Sequence, residues 1–401
     1  MELDPLEQVL LYAFIGAFAL GAIANKTNFC TMGAVSDWVN MGKTGRLWAW
    51  FTAIAVALLG VLALEAFAGV NVDKTLPPYR TPNFAWLRYP LGGFLFGIGM
   101  TLAGGCGNKT LINIGAGNTK SIMVLGIAGF FAYLMTKTDF YGTLFHSWIN
   151  GTAIDLASHG INSQSLDAIL SGLTGIDGNT LHYGIGITIA ATLLILAFRN
   201  KHFLSHANHI VSGVLVGLVI VGAWYVTAGP LGQEAVEAAE WMDEVPAGVG
   251  VQSYTFINPM GESLYYLMNG ASRVLLTFGV VAVPGVILGS LAAAIATGKF
   301  KLVWFTSAGD FTNHLVGAVL MGTGGVLAMG CTIGQGITGT STLALGSFLA
   351  LGSIIFGSAL TMKIQYYKLM YDDEASFLSA SLSSLVDMRL LPEGMRKLDS
   401  P

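Results

Sequence analysis

Charge is what this chain has least of. Only 10% of its 401 residues are Asp, Glu, Lys or Arg, against 53% hydrophobic, and the mean hydropathy is +0.65. A soluble domain carries about 25% charged residues, and no hydrophilic stretch here is long enough to form one. The net charge of −4 excludes the clustered basic face of a nucleic-acid partner. Cysteine is also scarce: Cys30, Cys106 and Cys331 are too few and too far apart for a disulfide framework or a zinc motif. His202, His206 and His209 share a helical spacing but read as solvated at a turn, so no metal is expected. P-loop, G-x-S-x-G and H-E-x-x-H patterns are missing, and with them any signal for ATP hydrolysis, a cofactor or an enzyme. No basic region precedes the first apolar run, so Met1-Glu2-Leu3-Asp4-Pro5 is not expected to open a cleaved leader.

What is present is apolar sequence in membrane-length runs, rich in glycine. Runs of roughly 17–25 residues suffice to cross a bilayer. They fall near 6–24, 47–69, 89–105, 119–136, 181–198, 209–227, 273–297, 315–330 and 343–362, giving nine predicted spans. Lys43, Arg46, Lys109, Lys120, Arg199, Lys201, Lys299, Lys301, Lys363 and Lys368 fall on one side of such an arrangement. The positive-inside rule makes that side cytoplasmic and puts the N-terminus outside. Lys74, Arg80 and Arg88 dissent. The stretches 150–180 and Glu234–Glu244 read as solvated outer loops, and the tail from about 371 as cytoplasmic.

The most informative feature is a self-match. Residues 92–106 (GGFLFGIGMTLAGGC) align without gaps on residues 317–331 (GAVLMGTGGVLAMGC). Eight identities share one register and end on two of the three cysteines, in the pattern G-x₂-L-x-G-x-G-x₂-L-A-x-G-C. The copies are the third and eighth spans, so they cross in opposite directions. This predicts an all-α integral membrane protein of about nine transmembrane helices, built as two inverted repeats with short re-entrant Gly-Cys segments. The expected divisions are a first half over 1–137, an outer loop and linking helix over 138–208, a second half over 209–363, and a tail over 364–401.

After Gly105-Cys106 comes Gly107-Asn108-Lys109-Thr110, and after Gly330-Cys331 comes Thr332-Ile333-Gly334-Gln335-Gly336. Broken backbone at membrane depth is tolerated where it lines a cavity, and the next helix start offers N–H groups and a dipole to an anion. Alternatively the glycines serve close helix crossing. A cysteine suits a soft ligand such as sulfur, yet a buried one is commonly inert. The paired placement favours a ligand role for Cys106 and Cys331, and Cys30, in a polar interruption after the first span, is a third candidate. Lys109 reads equally as an attractor of anions or as an orientation signal.

At these residues the chain resembles the YeeE/YedE family of bacterial membrane proteins, associated with sulfur transport and containing the thiosulfate transporters. The resemblance runs through Asn28-Phe29-Cys30…Asp37, both Gly-Cys repeats and Phe256-Ile257-Asn258-Pro259-Met260-Gly261-Glu262. It implies an inverted-repeat bundle pinched in the middle, with short helices dipping in from both faces. It also implies an anion passed between thiols by S–H···S hydrogen bonds, with Cys106 and Cys331 central and Cys30 on the cytoplasmic side. A cytoplasmic sulfur carrier of the TusA type is the implied partner. The family's thiosulfate carriers hold a further cysteine in the second half; Ser253–Asn258 has none, which leaves Thr255 or Asn258 in its place.

The expected function is uptake of a small sulfur-containing oxyanion, thiosulfate by preference, across the lipid of a bacterial inner membrane. Two alternatives stand beside it: a membrane thiol or persulfide redox enzyme, and a carrier of another solute such as sulfite or a selenium oxyanion. The expected pathway residues are Cys30, Cys106, Cys331, Gly105, Gly330, Asn108, Lys109, Thr332, Gln335, Thr255 and Asn258.

Overall fold

Pro5, at the first helical position, starts α1 (Pro5–Thr27), and Asn28 ends it in left-handed backbone. The short α2 (Thr31–Met41) and the spanning α3 (Gly45–Phe67) follow. After β1 (Asn83–Ala85), α4 (Arg88–Leu102) stops at a break. Beyond it come the short α5 (Gly107–Gly115) and α6 (Lys120–Lys137). The one-turn α7 (Ser147–Asn150), β2 (Ala153–Asp155) and α8 (Leu166–Thr174) lead to α9 (Gly178–Arg199) and the one-turn α10 (Lys201–Leu204). Then come α11 (Ala207–Ala228), α12 (Pro230–Glu240), the short α13 (Ile257–Met268), α14 (Phe278–Ala296) and α15 (Ala308–Leu327). A short helical segment over 332–342, π-helical over Gly334–Gly339 and closing in a 3₁₀ turn, joins α15 to α16 (Leu345–Tyr371), and α17 (Phe377–Asp387) lies in the tail. This computed structural model describes residues 3–242, 244–371 and 375–399. Met1 and Glu2, Asp243 of the acidic stretch, and 372–374, 400 and 401 of the tail lie outside the described residues.

Among the described residues eight helices are long and apolar enough to cross a membrane. The remaining predicted span, the eighth, near 315–330, falls on α15, which has the length but not the hydropathy. Asp310, Thr312, Asn313 and His314 in its first turns, with its glycines, account for the shortfall. The stretch 150–180, expected as loop, folds as β2, a 3₁₀ turn and α8. Likewise α12 occupies much of the acidic stretch.

The connections gather on two sides. On the first, the Leu76 N–H donates to Val251 O at 2.8 Å, β1 pairs antiparallel with β2, and the Leu166 N–H donates to Leu343 O at 3.0 Å. On the second, Asn200 Nδ2 donates to Thr44 Oγ1 at 2.9 Å, and the Lys301 N–H to Ala116 O at 3.0 Å. The tail folds back on the second side: Asp387 accepts from Lys363, Tyr367 and Arg396, fixing α17 against α16.

The glycines of the self-match explain how the helices meet. A Cβ at Gly92 or Gly99 on α4 would lie 2.7 Å from Gly324 O or Gly317 O of α15. One at Gly317 or Gly324 would lie 2.7 or 2.8 Å from Gly99 O or Gly92 O. Gly97 abuts the backbone of α16 at Ile354, while its aligned partner Gly322 abuts α6 at Ala128 O, 2.6 Å from a hypothetical Cβ. These six positions serve backbone-to-backbone packing, the small-residue mode of membrane helix association. Elsewhere α1 packs most extensively on α14, and α3 on α11, while α9 is the least buried of the long helices.

Candidate functional site

The same backbone device stands before each cysteine. Two residues ahead of Cys30, Cys106 and Cys331 the chain enters left-handed conformation, at Asn28 (φ 58°), Gly104 (φ 71°) and Met329 (φ 63°). The preceding helix ends there, the chain turns, and a short helix starts just after the thiol. Cys30 and Cys106 are the extended N-caps of α2 and α5. Cys331 stands just ahead of the 332–342 segment. The Cys30 thiol accepts the Gly33 N–H at 3.4 Å. The Cys106 thiol faces the Lys109 N–H without closing a cap bond, and the Cys331 thiol faces the N–H groups of Ile333, Gly334 and Phe256. Each thiol thus sits at the positive end of a short helix.

Those helix starts converge in the middle of the bundle. α2 and α5 run from there to the second side; α13 and the 332–342 segment run to the first. Cys30 and Cys106 line one small void with Phe29, Thr31, Trp50, Asn108, Lys109 and Ile333. The Thr332 hydroxyl faces the Cys106 thiol, and Thr255 faces Cys331. Ile257 at the start of α13 lies 3.0 Å from where a Cβ at Gly107 would be. All three cysteines are buried and free.

Buried polar atoms without a hydrogen-bond partner concentrate here. They include Asn108 Oδ1, Thr255 Oγ1, Asn258 Oδ1, Thr332 Oγ1 and Gln335 Oε1, all at residues singled out in the sequence. Native folds leave few such groups unmatched, and each calls for an explanation. Gln335 is half committed, since its Nε2 donates to Ala328 O at 2.5 Å and ties the segment to the end of α15. Gly105 and Gly330 make room for the turn that follows: a Cβ would meet Lys109 Cγ at 2.8 Å and Gln335 N at 3.2 Å. Lys109 makes no ion pair among the described residues.

The approaches from the two sides differ. From the first side a cavity of about 480 Å³ descends past Arg88, Lys137, Glu262 and Thr277 to Thr255 and Asn258. On the second side the void between Cys106 and Cys30 has no room for a water molecule.

Sequence reasoning missed three residues of this region. Phe29 stacks on Trp50 with ring centroids 6.1 Å apart, and Trp50 Nε1 is buried without a partner. The Tyr79 hydroxyl, carried in by the loop between α3 and β1, is also buried and unpaired. Burial, then the nearby Cys331, push that phenol well above its ordinary pKa, so it remains an O–H donor. An aromatic residue in an apolar run gives no sign in the sequence that its polar atom will be left without a partner.

Two curated relatives share most of their length with this chain. The thiosulfate transporter TsuA of Escherichia coli K12 is 27% identical over 366 residues, 87% of this chain and 92% of the relative. The thiosulfate transporter TsuA of Spirochaeta thermophila is 26% identical over 272 residues, 67% and 74% of the two chains. The family described as sulphur transport matches residues 26–360, which include all three thiols and both breaks. With long apolar helices around that shared core, this multi-pass membrane protein belongs to the sulphur transport family and is a transporter, not an enzyme.

Proposed function

We propose that this protein carries thiosulfate into a bacterial cytoplasm along the line Thr255, Cys331, Thr332, Cys106, Cys30. The observation that carries the reading is the gathering of three thiols, each at a short helix start, beside buried polar atoms that lack partners. Helix-start N–H groups and weak thiol and hydroxyl donors replace the anion's water gradually. None of these donors is itself charged, so none binds the anion too tightly for release. Lys109, which lines the void beside Cys106 and Cys30, is the fixed charge next to the line. The thiosulfate transporters among the relatives support the choice of anion.

The two halves are an inverted repeat about the α4–α15 crossing. The pairing α1 with α14 answers α11 with α3, and α4 with α16 answers α15 with α6. α2 and α5 correspond to α13 and the 332–342 segment, and α9 is the link. The second side is cytoplasmic and the membrane is the inner one. Of the dissenting basic residues, Arg80 is consumed internally by Asp73 and Thr342 O, and Arg88 caps the end of α15 at Leu327 O. A TusA-type carrier would receive the sulfur where Lys109 and Cys30 approach that side.

The test is accumulation of radiolabelled thiosulfate by cells without their own sulfur-oxyanion uptake. Cys106→Ala and Cys331→Ala should reduce accumulation to background while the amount of protein in the membrane stays constant. Normal uptake by either variant would overturn the relay.

A further inference from the structure

The thiols leave the indole of Trp50 unexplained. The residue is 2% exposed and lies inside α3. Its ring is fixed from two directions: Phe29 stacks on it with an interplanar angle of 9°, and a Cβ at Gly336 would overlap the ring edge. The indole therefore bridges the start of α2 and the 332–342 segment, two short elements that leave the centre toward opposite sides. It also lines the constriction beside Cys30, Cys106 and Asn108. Its Nε1–H, which can only donate, is buried and meets no acceptor.

An unmatched buried donor costs the fold its full desolvation penalty. A passing ligand that brings an acceptor explains why one is kept at this point. Thiols are soft, weak donors suited to a terminal sulfur, and they serve hard oxygens poorly. Thiosulfate presents one such sulfur and three oxygens. We infer that the Trp50 indole N–H donates to an oxygen of the anion as it passes between Cys106 and Cys30, selecting substrates that carry oxygens as well as sulfur. This rests on the cysteine-lined pathway proposed above.

The test compares wild type, Trp50→Phe, and protein carrying benzothienylalanine at position 50, which keeps the ring shape and replaces N–H by sulfur. Thiosulfate uptake into proteoliposomes gives KM, and thermal unfolding with and without thiosulfate gives the ligand-induced shift in Tm. Both replacements should raise KM about tenfold, the loss expected for a hydrogen bond to a charged group, and should shrink the thiosulfate-induced shift. The benzothienyl protein should unfold, without ligand, at or above the wild-type temperature, because an unmatched donor has gone. A merely structural Trp50 gives the opposite pattern: Trp50→Phe unfolds earlier, and the benzothienyl protein has wild-type KM. That pattern overturns the inference alone. A wild type that neither takes up thiosulfate nor is stabilised by it overturns the pathway together with the inference.

Discussion

The two approaches to the central thiols are built differently. The first-side approach is a cavity of about 480 Å³ ending at a hydroxyl and an amide, Thr255 and Asn258, with one thiol, Cys331, beyond them. The second-side approach has two thiols, Cys106 and Cys30, and no space for water between them. On the pathway proposed above, an anion coming from the first side would meet water and the Thr255 hydroxyl before sulfur. It would reach the paired thiols only after its hydration had been replaced. That pathway would place admission and closure in different parts of a similar frame, although both parts use short helix starts to present their polar groups.

The shared frame can be broken first. A valine at Gly99 would set its Cβ 2.7 Å from both Gly317 O and Met321 N, backbone atoms that cannot rotate away. Gly99→Val is expected to cost on the order of 3 kcal/mol or more, the largest effect among these variants. It should appear as loss of the monodisperse peak on size exclusion after detergent extraction. A fully folded Gly99→Val protein would mean that the α4–α15 crossing does not hold the halves together.

The difference between the approaches can be sharpened at Thr255. Its hydroxyl is buried without a partner and faces Cys331. Thr255→Val deletes an unmatched polar group, so thermal stability should hold or rise, while thiosulfate uptake falls several-fold. Thr255→Cys would give the first side a second thiol and should keep uptake near wild type. Equal loss in both variants would make the position a matter of shape rather than of donor chemistry.

How far the sequence foretold this site follows from the size of each signal. The Gly-Cys self-match was legible because its residues recur in one register. It could not separate Gly92, Gly97 and Gly99, which pack helices, from Gly105, which clears space for the turn after Cys106. The long spans announced themselves through hydropathy. α2 and α13, at 11 and 12 residues, are too short to do so, while the polar residues that start α15 left only its part from 315 onward legible as a span. Cys30 could be found as a cysteine in a polar interruption. That Asn28 gives it the same left-handed approach as Cys106 and Cys331 is a property of the backbone. Thr255 and Asn258 came into view through family resemblance, because isolated polar residues ahead of an apolar run have no distinguishing spacing. Trp50 and Tyr79 stayed hidden, since a donor without an acceptor exists only once the chain has folded around it.

The smallest expected effects lie at the two breaks themselves, where aligned positions solve one backbone problem with different residues. Gly104 takes its positive φ at little cost, and a Cβ there would meet only His314 Nε2 at 3.7 Å. Gly104→Ala should therefore show backbone strain alone, about 1 kcal/mol. Met329 carries that strain already, but its side chain is 7% exposed and its sulfur accepts the Tyr89 hydroxyl at 3.6 Å. Met329→Gly would relieve about 1 kcal/mol of strain and forfeit roughly 1.5–3 kcal/mol of burial. It should thus also destabilise the protein, by about 1 kcal/mol, a small drop in Tm in detergent. Were Met329→Gly to raise the Tm instead, the strain at the second break would exceed what packing on Tyr89 returns. The break before Cys331 would then be the sprung element of the pair, and the one before Cys106 its relaxed counterpart.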